Sequence, residues 1–222
     1  MAARAPKRHR PPLNLLPEIL GALWWRLMGP WRRFWRRSWF YHGLLRGKLA
    51  DHIAFHPYDA LPRALENADA LLRARFRFGG ETVDVKDGSI FDHAAPSAGW
   101  AEALHGFNWL ASLSAAGGDP ARTLATNLIT QWIKRYALYS EPAWLPHVAG
   151  RRLIHLFAHS RFVLANSDML WRSKLFVSMR EQSRCLARTA GEAPDGLPRF
   201  VAAAAHALSG ACLDDQPKRL AT

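Results

Sequence analysis

Residues 97–136 read SAGWAEALHGFNWLASLSAAGGDPARTLATNLITQWIKRY. Trp100, Leu104, Phe107 and Ala111 recur at three- and four-residue intervals, which puts them on one side of a helix over about 97–115. Gly117-Gly118 stops that helix. Asp119 then stands as the cap of the next, with Pro120 at the first helical position, where a missing N–H leaves nothing unsatisfied. Leu124, Leu128, Trp132 and Ile133 continue the second stripe to near Tyr136. Two apolar-faced helices joined by a tight turn form an antiparallel hairpin.

The same pattern extends in both directions. Downstream, a loop with Pro142 and Pro146 precedes a helix over about 147–166. Asp168 caps a fourth over about 169–189, with Leu175, Phe176, Met179 and Leu186 inward. Asp195-Gly196 and Pro198 open a last helix over about 198–213. Upstream, Leu61, Leu65, Ala68 and Leu72 mark a helix within 59–75. Between the two sets lies a short β-like hairpin near 76–85, with Gly79-Gly80 as its turn. No βα alternation, GxGxxG or GxxxxGK[ST] occurs, which argues against a nucleotide-binding fold. The expected class is mainly α, built from antiparallel helical hairpins.

The chain has 222 residues and is 49% hydrophobic and 22% charged, values that exclude wholesale disorder. Cys185 and Cys212 are its two cysteines, too few for a disulfide scaffold or zinc ribbon. The formal net charge is +12, but it is unevenly spread. Residues 1–48 carry eleven Lys/Arg against the single acid Glu18, and the remaining chain is nearly neutral. The basic pI therefore describes an arm, and nucleic-acid binding by the whole protein is not supported.

Three domains are expected: a basic, Trp-rich arm over 1–48, a helical domain over 49–213 and a short tail over 214–222. Residues 1–12 are Pro-rich and without apolar periodicity, which predicts disorder. Leu15–Met28 is too short to span a bilayer and is interrupted by Glu18 and Arg26. After Gly29-Pro30, helical spacing gathers Trp31, Phe34, Trp35, Ser38 and Trp39 on one side, with Arg32, Arg33, Arg36 and Arg37 largely on the other. Three readings of residues 13–48 are open. They lie on an anionic membrane surface, they grip nucleic acid, or their aromatics pack onto the body while the arginines are solvated. No signal peptide is visible and Arg32-Arg33 lacks the remainder of a twin-arginine signal, so the default location is cytoplasmic, with the periplasm left open.

WAEALHGFNWL at 100–110, Gly117-Gly118-Asp119, Trp132-Ile133, Trp144 and Gly150-Arg151-Arg152-Leu153 occur in order. With Leu45-Arg46-Gly47-Lys48 and RFRFGG at 75–80, they resemble the bacterial heparinase II/III-like proteins, relatives of polysaccharide lyases, over roughly 40–213. The resemblance implies an incomplete (α/α) toroid of helical hairpins. The family continues with further helices and a C-terminal antiparallel β-sandwich, and nothing here matches those parts. It also implies β-elimination of an acidic, uronate-containing polysaccharide by the full-length protein, with no cofactor, and an inactive front portion.

Such a lyase must neutralise the substrate carboxylate, remove the C5 proton and protonate the leaving oxygen. Tyr41, Tyr58, Tyr136 and Tyr139 sit in no recognisable catalytic motif, so no catalytic residue is assigned. Substrate-binding candidates remain. His105, Asn108 and Ser112 form a polar strip beside Trp109 at helical spacing. Arg151, Arg152, His155 and His159 lie on the third helix, and Trp144 precedes it. Arg and His suit an acidic glycan, and Trp suits a sugar face. The alternative is that the tryptophans and His105 are core and the arginines tie helix ends. His155 and His159 have metal-ligand spacing but no HExxH glutamate or third ligand, so no metal is expected.

The leading expectation is therefore the toroid portion of a lyase. The alternatives are a non-catalytic glycan-binding or remnant protein, and a membrane-surface protein acting through its arm. An incomplete toroid would leave an apolar face open, which predicts self-association through it.

Overall fold

The computed structural model describes residues 29–45, 53–58 and 65–213. The expectations for residues 1–28, 46–52, 59–64 and 214–222 lie outside the described residues. Within them the protein is mainly helical. Helices α1 (Gly29–Arg37), α2 (Trp39–Leu45) and α3 (Leu65–Leu72) precede strands β1 (Arg75–Phe78) and β2 (Glu81–Asp84). A short 3-10 turn, Ile90–Asp92, leads to α4 (Ala98–His105), α5 (Asn108–Ala116) and α6 (Gly118–Arg135). Then follow α7 (Pro146–Ala158), α8 (Ser160–Leu164), α9 (Met169–Thr189), a 3-10 turn at Ala190–Glu192, and α10 (Leu197–Leu213).

The hairpin forms as its turn chemistry dictates. Gly79 and Gly80 both have positive φ, 58° and 88°, which a tight two-residue turn requires and a side chain would oppose. Phe76 pairs with Val83 and Phe78 with Glu81. Phe76 is buried and Phe78 meets Trp100 edge-on at 5.4 Å, so the hairpin seals one end of the helical core. Ser97 caps α4, its Oγ accepting from the Trp100 N–H at 3.2 Å, and the same hydroxyl donates to Glu81 of β2. Asp168 caps α9 as its position predicts, Oδ1 accepting from the Trp171 N–H at 2.7 Å.

Helix α7 is the hub, in contact with α4, α5, α8, α9 and α10. Val148, Ala149, Leu153, Leu156 and Phe157 are all buried. Its most extensive partner is α10. The two approach closely because the contact is made of small residues: Gly150 of α7 faces Ala202 and Ala205 of α10. A Cβ on Gly150 would lie 3.2 Å from Ala205 Cβ and from Val201 O.

Three expectations need correction. The helix expected over 97–115 is two helices, broken at Gly106-Phe107, where Phe107 takes a left-handed conformation (φ 61°). The helix expected over 147–166 is likewise divided at His159. Asp119 does not cap α6. It lies in the first turn, paired with Arg122 Nη1 at 2.6 Å, and Gly117 occupies the cap position. The two cysteines, Cys185 and Cys212, are both buried and free.

The largest departure concerns α1 and α2. The packing alternative turned the aromatics inward and the arginines to water. In the structure Arg36 is buried, whereas Trp31, Phe34 and Trp35 are 66%, 72% and 48% exposed. Arg36 points at the body because it meets a carboxylate there, Glu192. Tyr41 and Leu45 of α2 are buried, and α2 packs on α9. Arg184 and Arg188 of α9 donate to the Leu45 and Leu44 carbonyls at 2.9 and 3.3 Å, satisfying acceptors that a helix C-terminus leaves open.

Candidate functional site

The expected site residues separate into three environments. Arg152, on α7, is wholly buried. Its Nε donates to Gln182 Oε1 of α9 at 2.7 Å. Its Nη1 donates to the carbonyls of His105 at 2.7 Å and Ala143 at 2.8 Å. Its guanidinium lies 3.8 Å from the centroid of the Trp132 ring, close enough for a strong cation–π contact. Burial lowers its pKa to about 9, so it remains a cation at neutral pH.

The helix break explains how this is possible. In a continuous helix the His105 carbonyl would accept from the N–H four residues on. The turn at Gly106-Phe107 releases it to Arg152 instead. Gly106 is required there, since a Cβ would come within 2.8 Å of Glu102 O and 3.0 Å of Arg151 Cδ.

His105 closes the same cluster. Its Nδ1 accepts from Trp132 Nε1 at 3.2 Å, which fixes it as a neutral imidazole. Its ring stacks on Phe91 at 5.9 Å and meets Tyr136 edge-on at 4.7 Å. Burial first, and the Arg152 charge second, hold its pKa down to about 4. His105 and Arg152 are therefore a structural pair inside an aromatic shell. Neither presents a charge to an acidic ligand.

The tryptophans follow them inward. Trp109 is 1% exposed, with Nε1 donating to the Leu104 carbonyl at 3.2 Å. Trp144 is 2% exposed, with Nε1 donating to the Tyr136 carbonyl at 3.0 Å and its ring against His42. Neither leaves a free face for a sugar, and as sugar platforms both are corrected to core.

Asn108 and Ser112 point elsewhere. With Trp109 they line a cleft of about 270 Å³ between α3, the β-hairpin and α5, which Asn67 and Arg77 also edge. The polar strip drawn from helical spacing thus divides, His105 to the core and Asn108 and Ser112 to this cleft. Arg151 is half-buried and packs beside Gly106. His155 is half-buried, its ring parallel to that of His159 at 6.1 Å. Among the described residues no group of three or more His, Cys, Asp or Glu is arranged to hold a metal ion.

Several residues escaped sequence reasoning. Gln182 has no local signature, yet it is the side chain that orients Arg152. His147, buried at the start of α7, lies 3.3 Å from Glu102 through Nε2. A second cleft, of about 330 Å³, is formed by Asp119, Arg122, Asn127 and Thr130 of α6 with Asn166 and Trp171. Trp171 Nε1 donates to Thr130 Oγ1 there at 2.8 Å. The Asp168 cap was a visible clue that Trp171 lies in the first turn of a helix, but nothing local linked it to α6.

Among the described residues no helix is long and apolar enough to cross a membrane. No protein-family model and no solved structure matches the chain. Over 202 residues, 89% of its length, the chain is 29% identical to FtsZ-localized protein C of Caulobacter vibrioides. It spans about a third of that protein (34%). This finding overturns the reading as the front portion of a polysaccharide lyase: the similarity is to a protein named for its localisation with FtsZ, and the residues expected to hold an acidic glycan are largely core.

Proposed function

We infer that this chain is a helical scaffold module of a cell-division-associated protein, resident where FtsZ assembles. The observation that carries the reading is the 29% identity to FtsZ-localized protein C, sustained over 89% of the chain. Identity spread along a whole helical unit transfers the packed unit, and with it the surfaces that unit presents. The nature of the interior supports a scaffold: His105 is a neutral core histidine and Arg152 is held by carbonyls and an aromatic face. The same reading carries a cytoplasmic location.

The finer architecture proposed with it is an arc of antiparallel helical hairpins, an incomplete toroid. The short connections between successive helices and the hub position of α7 support it. The resemblance to the helical region of heparinase II/III-like proteins enters here as a proposal about fold, without the activity.

The test is a fluorescent fusion of the chain expressed in Caulobacter vibrioides with FtsZ labelled in a second colour. The reading expects a band that follows FtsZ and disperses when FtsZ is depleted. A uniform signal in cells with intact FtsZ bands would overturn it.

A further inference from the structure

The geometry points to a membrane-docking face on α1: the outward aromatics Trp31, Phe34 and Trp35 insert into the headgroup region of an anionic lipid surface. The inference does not depend on the division reading. Three observations carry it.

The first is orientation. At helical spacing Trp31, Phe34 and Trp35 occupy one arc of about 100°. All three are exposed, and Trp31 and Phe34 lean together with ring centroids 6.4 Å apart. Exposed aromatics of this size on consecutive turns form a contiguous apolar strip, which isolated surface residues do not. Leu44 of the next helix is also 60% exposed.

The second is that this orientation is held. Arg36, on the opposite side of α1, forms a two-point ion pair with Glu192, and its guanidinium lies 5.8 Å from the Tyr139 ring centroid. The body therefore grips Arg36 and presents the aromatic arc outward. A helix lying in a membrane interface buries an apolar arc and keeps cationic groups at the phosphates. Tryptophan is enriched at that depth because its ring is apolar and its N–H is polar.

The third is charge. Residues 1–48 carry eleven Lys/Arg and one acid. An anionic leaflet attracts such a segment before the aromatics insert. A second copy of the chain is a poorer occupant, because a two-fold contact would oppose two segments that each carry this excess. Nucleic acid is also a poorer occupant. The leading surface of α1 is aromatic, and Arg36 is already neutralised by Glu192.

The experiment uses the whole chain and vesicles of phosphatidylcholine, alone or with about a third phosphatidylglycerol. Sedimentation should bring the protein down with the anionic vesicles and leave it in solution with the neutral ones. The triple variant Trp31→Ser, Phe34→Ser, Trp35→Ser should lose about tenfold or more in affinity, since apolar insertion supplies most of the interfacial binding. Circular dichroism and the thermal midpoint should be unchanged, because none of the three side chains is core.

Absence of binding to the anionic vesicles overturns the inference. So does a triple variant that binds like the wild type, which would move the contact to another segment. A concentration-dependent dimer that the triple variant abolishes, without vesicle binding, would assign the face to a second copy.

Discussion

Arg36 and Glu192, 156 residues apart in sequence, are joined by two hydrogen bonds, Nη1 to Oε2 at 2.7 Å and Nη2 to Oε1 at 2.5 Å. Burial alone would weaken the Arg36 charge, but Glu192 and Tyr139 outweigh it and raise its pKa above the ordinary value. A bidentate, half-sheltered pair of this kind fixes direction as well as contributing energy. It ties α1 to the turn between α9 and α10. Glu192→Ala is expected to leave the global midpoint nearly unchanged while loosening α1. Hydrogen exchange in residues 29–37 should rise at least several-fold, with α7 and α9 unaffected. Equal protection in the variant would show that α1 is held by other contacts.

Arg152 is the polar centre of the core. Arg152→Met removes the donors to two buried carbonyls and to Gln182, and should destabilise by about 3 kcal/mol, given about 1–3 kcal/mol for each buried group left unsatisfied. Arg152→Lys should recover little, because an ammonium cannot reach three acceptors while stacking on Trp132. Urea denaturation of the three proteins checks this. A Lys variant as stable as wild type would contradict the planar-fork account.

His105 gives stability a pH dependence with a defined sign. Its folded pKa is depressed to about 4, below the ordinary value of 6.5. The unfolded chain therefore binds a proton that the folded chain refuses, and stability falls as pH drops from 6.5 towards 4. Between pH 7 and pH 5 the loss from this residue should be about 2 kcal/mol. His56 is also depressed, first by burial and then by Arg161, and adds to the same trend. In His105→Gln, whose side-chain oxygen still accepts from Trp132, most of that slope should vanish. A slope unchanged by the substitution would place the titration elsewhere.

The α7–α10 contact predicts a steep size dependence at Gly150. Alanine requires its neighbours to give by a few tenths of an ångström. Valine drives a branched side chain into Val201 O and Ala205 and should destabilise by about 1–3 kcal/mol through overpacking. Thermal denaturation should rank wild type above Gly150→Ala above Gly150→Val. A neutral valine would mean that the two helices separate easily.

Much of the fold is legible in the sequence because its causes are local. The Gly79-Gly80 turn, the Asp168 cap and the extents of α9 and α10 follow from residues within a few positions. The breaks at Gly106-Phe107 and His159 are different. Apolar periodicity runs straight through both, and the first is settled by Arg152, which takes the carbonyl of His105 47 residues before it. The inward turn of Arg36 has the same character, since only Glu192 explains it. The site was less legible than the fold for a related reason. Trp109, Trp132, Trp144 and Arg152, which gave the motif its distinctiveness, are packing residues. A pattern built from packing residues informs on architecture and is silent on chemistry.

The measurement that tests the central claim most directly is the overlap of the fluorescent chain with labelled FtsZ through the cell cycle, with Arg152→Met as a folding control. The account predicts a wild-type band that appears and constricts with FtsZ, and a diffuse signal from the destabilised control. A wild-type chain that stays diffuse, or gathers at sites without FtsZ, would contradict it.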